Sequence, residues 1–347
     1  MKSPREEKMM TNYGQEGVAI EAPAPEDDWD LPQPARPRSA AIYIATQSVP
    51  VKNMRETEKI ALPAAKNYPL RLPSFFDPDR CPAFMARSAL FSSGRTVLGI
   101  PHDGPVKAQG KYALTLCGER LYMRDKQVWH AVMNIVKRAP AHNVPIRIEL
   151  AAIATLMGSS DHCGGALRRI WQSVERLSRA TIEVTLHDGH AQTGKLVAAA
   201  YRQEKKYFIE MDMPWMAAAL SLDYQFKVNC GRRNGLAYSL AQWLHDFLST
   251  HKSFPGLTIG YIRELCGFEG QQRTFPAMIL TALTELRNSA TLLVADFEII
   301  RNGKSSDSWT VVITHGPEQP SYSAPSWYES SDEPNDLSYP TTRRVAL

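Results

Sequence analysis

The chain's 347 residues exceed one typical domain, and a hydrophobic content of 44% is enough to build two cores. Lys plus Arg outnumber Asp plus Glu by only 40 to 36, a net charge of +4, so bulk charge selects no partner and affinity for a polyanion has to come from a local cationic face. Five scattered cysteines, Cys81, Cys117, Cys163, Cys230 and Cys266, include no C-x-x-C pair, which excludes a zinc finger and a disulfide framework and fits a reduced interior.

Proline is concentrated before residue 81 and after residue 315. Residues 1–80 combine that proline with an acidic cluster (Glu26, Asp27, Asp28, Asp30) and are expected to be a mostly disordered region, because dense proline blocks both helix propagation and sheet pairing. Within it, residues 40–45 and 70–76 are apolar enough to act as docking segments. Residues 316–347 are expected to be a disordered tail. No apolar run follows the first charges, and no stretch of about 18 apolar residues occurs, so a soluble, cytoplasmic protein that meets no membrane is expected.

The middle of the chain reads as two copies of one pattern. In the first, Val128, Trp129, Val132, Met133 and Val136 mark an amphipathic helix with Asp125 placed to cap it. A strand over residues 144–148 and a helix carrying Leu150, Ile153 and Leu156 follow, the helix stopping at Gly158. After the turn at residues 159–165 comes a third helix with a continuous apolar stripe, Leu167, Ile170, Trp171, Val174 and Leu177. Its remaining surface carries Arg168, Arg169, Gln172, Ser173, Arg176 and Arg179, with Glu175 alone opposing the arginines. Charged residues opposite an apolar face describe any solvated helix. Four arginines skewed to one sign, with Gln172 among them, suit phosphates and base edges, and Gly164-Gly165 would admit a phosphate close to the helix N-terminus. Strand-prone residues 181–186, a turn at His187-Asp188-Gly189-His190, residues 196–201 and a return strand at residues 207–211 suggest a wing, with His187, His190 and Lys195 near the DNA backbone.

A shift of 109 residues sends Ile153, Leu156 and Gly158 to Ile262, Leu265 and Gly267, and Ile170, Val174 and Leu177 to Ile279, Leu283 and Leu286. A shift of 111 sends Trp129, Val132, Met133 and Val136 to Leu240, Trp243, Leu244 and Phe247. The second copy closes with residues 292–300, a turn at Arg301-Asn302-Gly303-Lys304 and residues 309–314. The expected fold is therefore α+β, with two tandem winged-helix domains over residues 81–212 and 213–315 that are joined too closely to move independently. The second recognition helix, over about residues 274–288, presents Thr274, Ala277, Met278, Thr281, Glu285 and Asn288, with Arg273 and Arg287 flanking. Arg273, Thr274, Thr281 and Lys304 are its candidate DNA contacts, and a mainly packing role for the helix is an open alternative.

Several enzymatic patterns fail. Gly303-Lys304-Ser305 resembles the end of a phosphate-binding loop, but position 298, which would need glycine, is Glu298. His187 and His190 flank a hairpin-turn dipeptide rather than forming a metal site, and no histidine-apolar-histidine pair of a nicking enzyme is present. A non-enzymatic protein without metal or other cofactor is expected.

Three strings, Ala86-Arg87-Ser88-Ala89-Leu90-Phe91, Gln127-Val128-Trp129 continuing to Lys137-Arg138, and Phe247-Leu248-Ser249-Thr250-His251, resemble the TrfA family of plasmid replication initiators over roughly residues 84–315. The resemblance implies a protein of two winged helices that binds iterons, the repeated double-stranded sites of a plasmid origin. It implies opening of the adjacent DNA, recruitment of a host initiator, helicase and sliding clamp, and a monomer-dimer equilibrium tied to copy control. The family's clamp-binding peptide corresponds here to Arg71-Leu72-Pro73-Ser74-Phe75-Phe76, where Leu72, Phe75 and Phe76 are the expected contacts and the family's glutamine is absent. A winged-helix transcriptional repressor and a protein-interaction scaffold are the alternative readings.

Overall fold

The computed structural model describes residue 77, residues 79–317 except 140–143, 187–188, 223–224, 255 and 290–292, and residues 322–323. His187 and the segment with Leu72, Phe75 and Phe76 lie outside the described residues. Helix and sheet are mixed along the chain. Strands β1 (Arg80–Pro82), β2 (Phe91–Ser92), β3 (Pro101–Val106), β4 (Tyr112–Glu119) and β5 (Leu121–Tyr122) precede helix α1 (Met123–Arg138). Strands β2 to β5 are additional to the elements expected from the sequence.

Asp125, expected to cap α1 from outside, is its third residue. The carboxylate accepts the backbone N–H of Tyr122 at 2.9 Å, reaching back over the first turn. Strand β6 (Ile146–Ile148) leads into α2 (Leu150–Leu156), and α3 (Gly164–Arg179) follows. In the second copy the equivalent run is α6 (Ser239–Leu248), β12 (Leu257–Thr258), α7 (Ile259–Leu265) and α8 (Phe275–Asn288). The helices α2 and α7 end alike. Gly158 and Gly267 adopt φ of +77° and +63°, with paired closing bonds, Gly158 N–H to Thr155 O and Ser159 N–H to Ala154 O, then Gly267 N–H to Glu264 O and Phe268 N–H to Arg263 O. Only glycine takes that left-handed turn without strain, which is why the same residue recurs 109 positions on.

Each copy also has a three-stranded antiparallel sheet in which the short strand between its first two helices pairs with the last strand of a later hairpin. The orders are β6-β10-β9, with β9 (Ala199–Gln203) and β10 (Lys206–Glu210), and β12-β14-β13, with β13 (Val294–Ile300) and β14 (Thr310–His315). This corrects the hairpin expected directly after α3. Strands β7 (Thr181–Leu186) and β8 (Ala191–Lys195), closed by the Leu186 N–H bond to His190 O, belong to a separate four-stranded sheet, β3-β4-β7-β8. The cause is non-local pairing: β7 runs antiparallel to β4 from Tyr112 opposite Leu186 to Cys117 opposite Thr181, and buries Ile182 and Val184 with Leu114 and Leu116.

Three further elements were also not read from the sequence: α4 (Met213–Leu222), β11 (Gln225–Lys227) and α5 (Cys230–Asn234). Strand β11 lies between β1 and β15 (Tyr322–Ser323), so Arg80 and residues 322–323, assigned to disordered regions, are part of a sheet. The apolar core is continuous from Cys81 to Ile313, and the boundary drawn at 212/213 is no break in packing. Where the copies meet, Lys126 of α1 lies 2.7 Å from the Asp246 carboxylate of α6, which Arg233 and His245 also approach at 3.3 Å, all four side chains being at most 2% exposed. Burial alone would raise the Asp246 carboxyl, but Lys126 and Arg233, helped by His245, hold it well below the usual carboxylate range.

Candidate nucleic-acid interface

The stripe on α3 packs as its period requires: Ile170, Val174 and Leu177 are buried, while Leu167 and Trp171 are partly so. Cys163 caps the helix, its sulfur accepting the Ala166 N–H, and Gly164 and Gly165 leave the first turn exposed. Arg168, Arg169 and Arg179 project to solvent and Gln172 is half-exposed. Arg169 stands 3.9 Å from Asp161, and Arg179 lies near Glu119 and Glu175 at 3.5 and 3.8 Å, long pairs that hold their exposed arginines only weakly.

Arg176 and Ser173 do not belong to this surface. Arg176 is 2% exposed and grips Asp125 through Nη2 at 2.7 Å and Nε at 3.1 and 3.2 Å, while Nη2 also donates to Ser173 Oγ. By spacing Arg176 shares the face of Arg169, seven residues before it, but nearer the C-terminal end of α3 that face meets α1, where Asp125 keeps the charge inside. Lys195 ends β8 opposite Thr181, and His190 opens the same hairpin, so both sit on the four-stranded sheet and not on the hairpin that pairs with β6.

That hairpin, β9 and β10, supplies what the sequence reading missed. It turns through Glu204 and Lys205, at φ of +48° and +65°, closed by the Gln203 and Lys206 pair. Arg202 lies over the Tyr207 ring at 5.6 Å, and Tyr207 packs on Trp171 of α3 at 4.8 Å, so the hairpin is pinned to the basic helix by its aromatic face. Arg202, Lys205 and Lys206 are exposed beside it. The Lys205-Lys206 pair was visible in the sequence, but a turn without glycine or asparagine gave no hairpin signal.

The second copy is built differently on its outer face. Among the described residues of α8, Ala277, Met278, Leu280 and Thr281 are exposed, and Thr281 donates its hydroxyl to Ala277 O. Glu285 accepts the backbone N–H groups of Ala237 and Tyr238 at the start of α6, so it is a structural cap. Arg273 and Thr274 lie in the turn Gln272–Thr274 that leads into α8, both exposed, and Thr274 donates to Gln271 O. An open cleft of about 610 Å³ is lined by Gln271, Gln272, Arg273, Ser305 and Ser306, with Lys304 exposed next to it. Asp307 ties its walls together by accepting from Arg263 at 2.9 Å and from Gln272.

Two of the strings that carry the family resemblance, residues 86–91 and 247–251, meet at the junction of the copies, and bonds from their neighbours join them there. Arg87 donates to Thr250, Trp243 donates to Ser88 O at 3.2 Å, and Ser92 donates to Gly267 O at 2.7 Å. Arg87, Ser88 and Thr250 thus spend their polar groups on contacts within the fold. Among the described residues no helix is long and apolar enough to cross a membrane.

No protein-family model matches the chain, and no curated protein matches it. Among solved structures, it is similar to a crystal structure of selenomethionine derivatives of domains 2 and 3 of RctB, at 13% identity and a TM-score of 0.47 over 69% of this chain and 99% of that one. A second crystal structure of RctB domains 2-3 is similar at 10% identity and a TM-score of 0.42, over 67% of this chain and 96% of that one. At these identities the likeness says nothing of what the chain binds.

Proposed function

We propose that the chain is a double-stranded DNA-binding protein built of two winged-helix units, serving as a replication initiator of the TrfA type at the repeated sites of a plasmid origin. The observation that carries DNA binding is the packing of the β9-β10 hairpin on α3 through Trp171 and Tyr207, with Arg168, Arg169 and Arg179 exposed on the helix and Arg202, Lys205 and Lys206 exposed on the hairpin. In this reading the helix enters the major groove, where Arg168, Arg169 and Gln172 reach base edges, and the hairpin lies on phosphates. The second unit contributes Arg273, Thr274, Thr281 and Lys304 at a largely uncharged surface, so the first unit supplies most of the salt-dependent affinity. Origin opening and recruitment of host initiator, helicase and clamp complete the reading by resemblance alone.

Footprinting on the DNA flanking the gene tests it, with protected repeats at helical spacing as the expected result. Origin-dependent maintenance of a plasmid lacking its own initiator separates this role from that of a repressor, which cannot support maintenance. The double substitution Arg168→Glu and Arg169→Glu is expected to abolish footprints without lowering the melting temperature, because both side chains are exposed. Normal binding by that variant overturns the assignment of α3.

A further inference from the structure

Arg124, the second residue of α1, is half-buried, and its Nε is shut off from solvent with no hydrogen-bond acceptor among the described residues. A buried guanidinium nitrogen normally has an acceptor, because leaving a charged donor unpaired costs more than a neutral one. The obvious acceptor is the neighbouring Asp125, but that carboxylate is already committed: three contacts from Arg176 at 2.7 to 3.2 Å and the Tyr122 N–H at 2.9 Å occupy both oxygens.

The other charges around Arg124 have its own sign. Burial first, and then repulsion from Arg169, lower its pKa below the ordinary arginine value; Asp125 opposes this and Arg176 adds to it. Arg176 itself leaves a buried Nη1 without an acceptor. Among the described residues, Arg169, more than half exposed, has the Asp161 carboxylate as its ion-pair contact, at 3.9 Å. The junction of α1 and α3 therefore gathers three guanidiniums, of which Arg176 saturates Asp125, Arg169 has Asp161 at arm's length, and Arg124 faces both arginines. Such a gathering of like charge costs the free protein stability, and an anion that meets Arg124 and Arg169 from the solvent side relieves the repulsion between them.

We propose that Arg124 and Arg169 together hold a phosphodiester of the DNA backbone at the junction of α1 and α3. The site rests on the DNA-binding reading above and adds a residue from outside the helix and hairpin. Its place at the start of α1 means that the first helix of the unit fixes how deeply α3 sits in the groove, through a contact that carries no base sequence.

The test compares wild type with Arg124→Met, which keeps the packing stem, and Arg124→Lys, which keeps the charge. Binding to a short duplex of arbitrary sequence is followed across a salt series, and melting is followed without DNA at low salt. For Arg124→Met the expected result is a slope of log K against log salt shallower by about one, equal weakening on all sequences, and a melting temperature at or above that of wild type. Arg124→Lys is expected to recover the slope. If Arg124→Met melts below wild type, the guanidinium supports the fold rather than awaiting an anion, and the proposal fails. An unchanged slope in Arg124→Met beside a binding wild type overturns this site alone. A wild type with no salt-dependent affinity overturns both the site and the function it rests on.

Discussion

Arg176 shows how one side chain's role turns on a partner far away in sequence. It shares a helix face with Arg169 and Gln172 by spacing, yet its guanidinium is locked inside by Asp125 of α1, 51 residues earlier. Removing one member of a buried ion pair strands the other, so Arg176→Ala is expected to destabilise the protein by about 3 to 5 kcal/mol, far more than any exposed arginine of α3. Urea titration checks this, and a loss below about 1 kcal/mol refutes it. His251 makes a second residue-scale prediction. Burial, with Arg87 adding to it, pushes its pKa down from 6.5 to about 3. The unfolded chain therefore takes up a proton near pH 6.5 that the folded protein refuses. The stability owed to neutral His251 is complete above that pH and falls by up to about 1.4 kcal/mol per unit as pH drops toward 3. Replacing it by Gln is expected to flatten that dependence between pH 6.5 and 4. Below about pH 4 the depressed Asp246 carboxyl adds its own loss, since its stabilisation is present above the unfolded carboxylate pKa and disappears on protonation.

At the scale of elements, the hairpin beside α3 carries local strain. Glu204 and Lys205 occupy left-handed backbone, which costs a residue with a side chain on the order of 1 kcal/mol or more. Substituting Asn-Gly at these two positions is expected to raise stability by roughly 1 kcal/mol, because that dipeptide suits a two-residue hairpin turn. The same change removes Lys205, so binding should weaken equally on all DNA sequences; a change in sequence preference would show that the tip reads bases instead. The helices and their stops were legible because their cause is local: a 3.6-residue apolar period and glycines at 158 and 267 where the backbone turns left-handed. The hairpins were not equally legible. Residues 181–186 satisfied every local rule for a wing strand, but pairing with β4 decided their sheet, and β4 lies about 70 residues away.

For the whole molecule, the junction of the copies is the dominant feature. The core runs through both, and the Lys126, Asp246, Arg233 and His245 cluster lies across their first helices with side chains at most 2% exposed. Neither copy can open without exposing that charge cluster, so calorimetry is expected to show a single cooperative transition for both. Two separated transitions would mean that the cluster does not couple them.

The chain's order of residues determined its amphipathic helices, the doubling of the helical pattern and the skew of arginines on α3, since each follows from spacing within a few turns. Tertiary structure alone decided which arginines reach solvent, which hairpin lies beside α3, and that one core joins both copies. Those outcomes depend on strand pairing and ion pairing between segments distant in sequence, where local period and propensity carry no information about the partner.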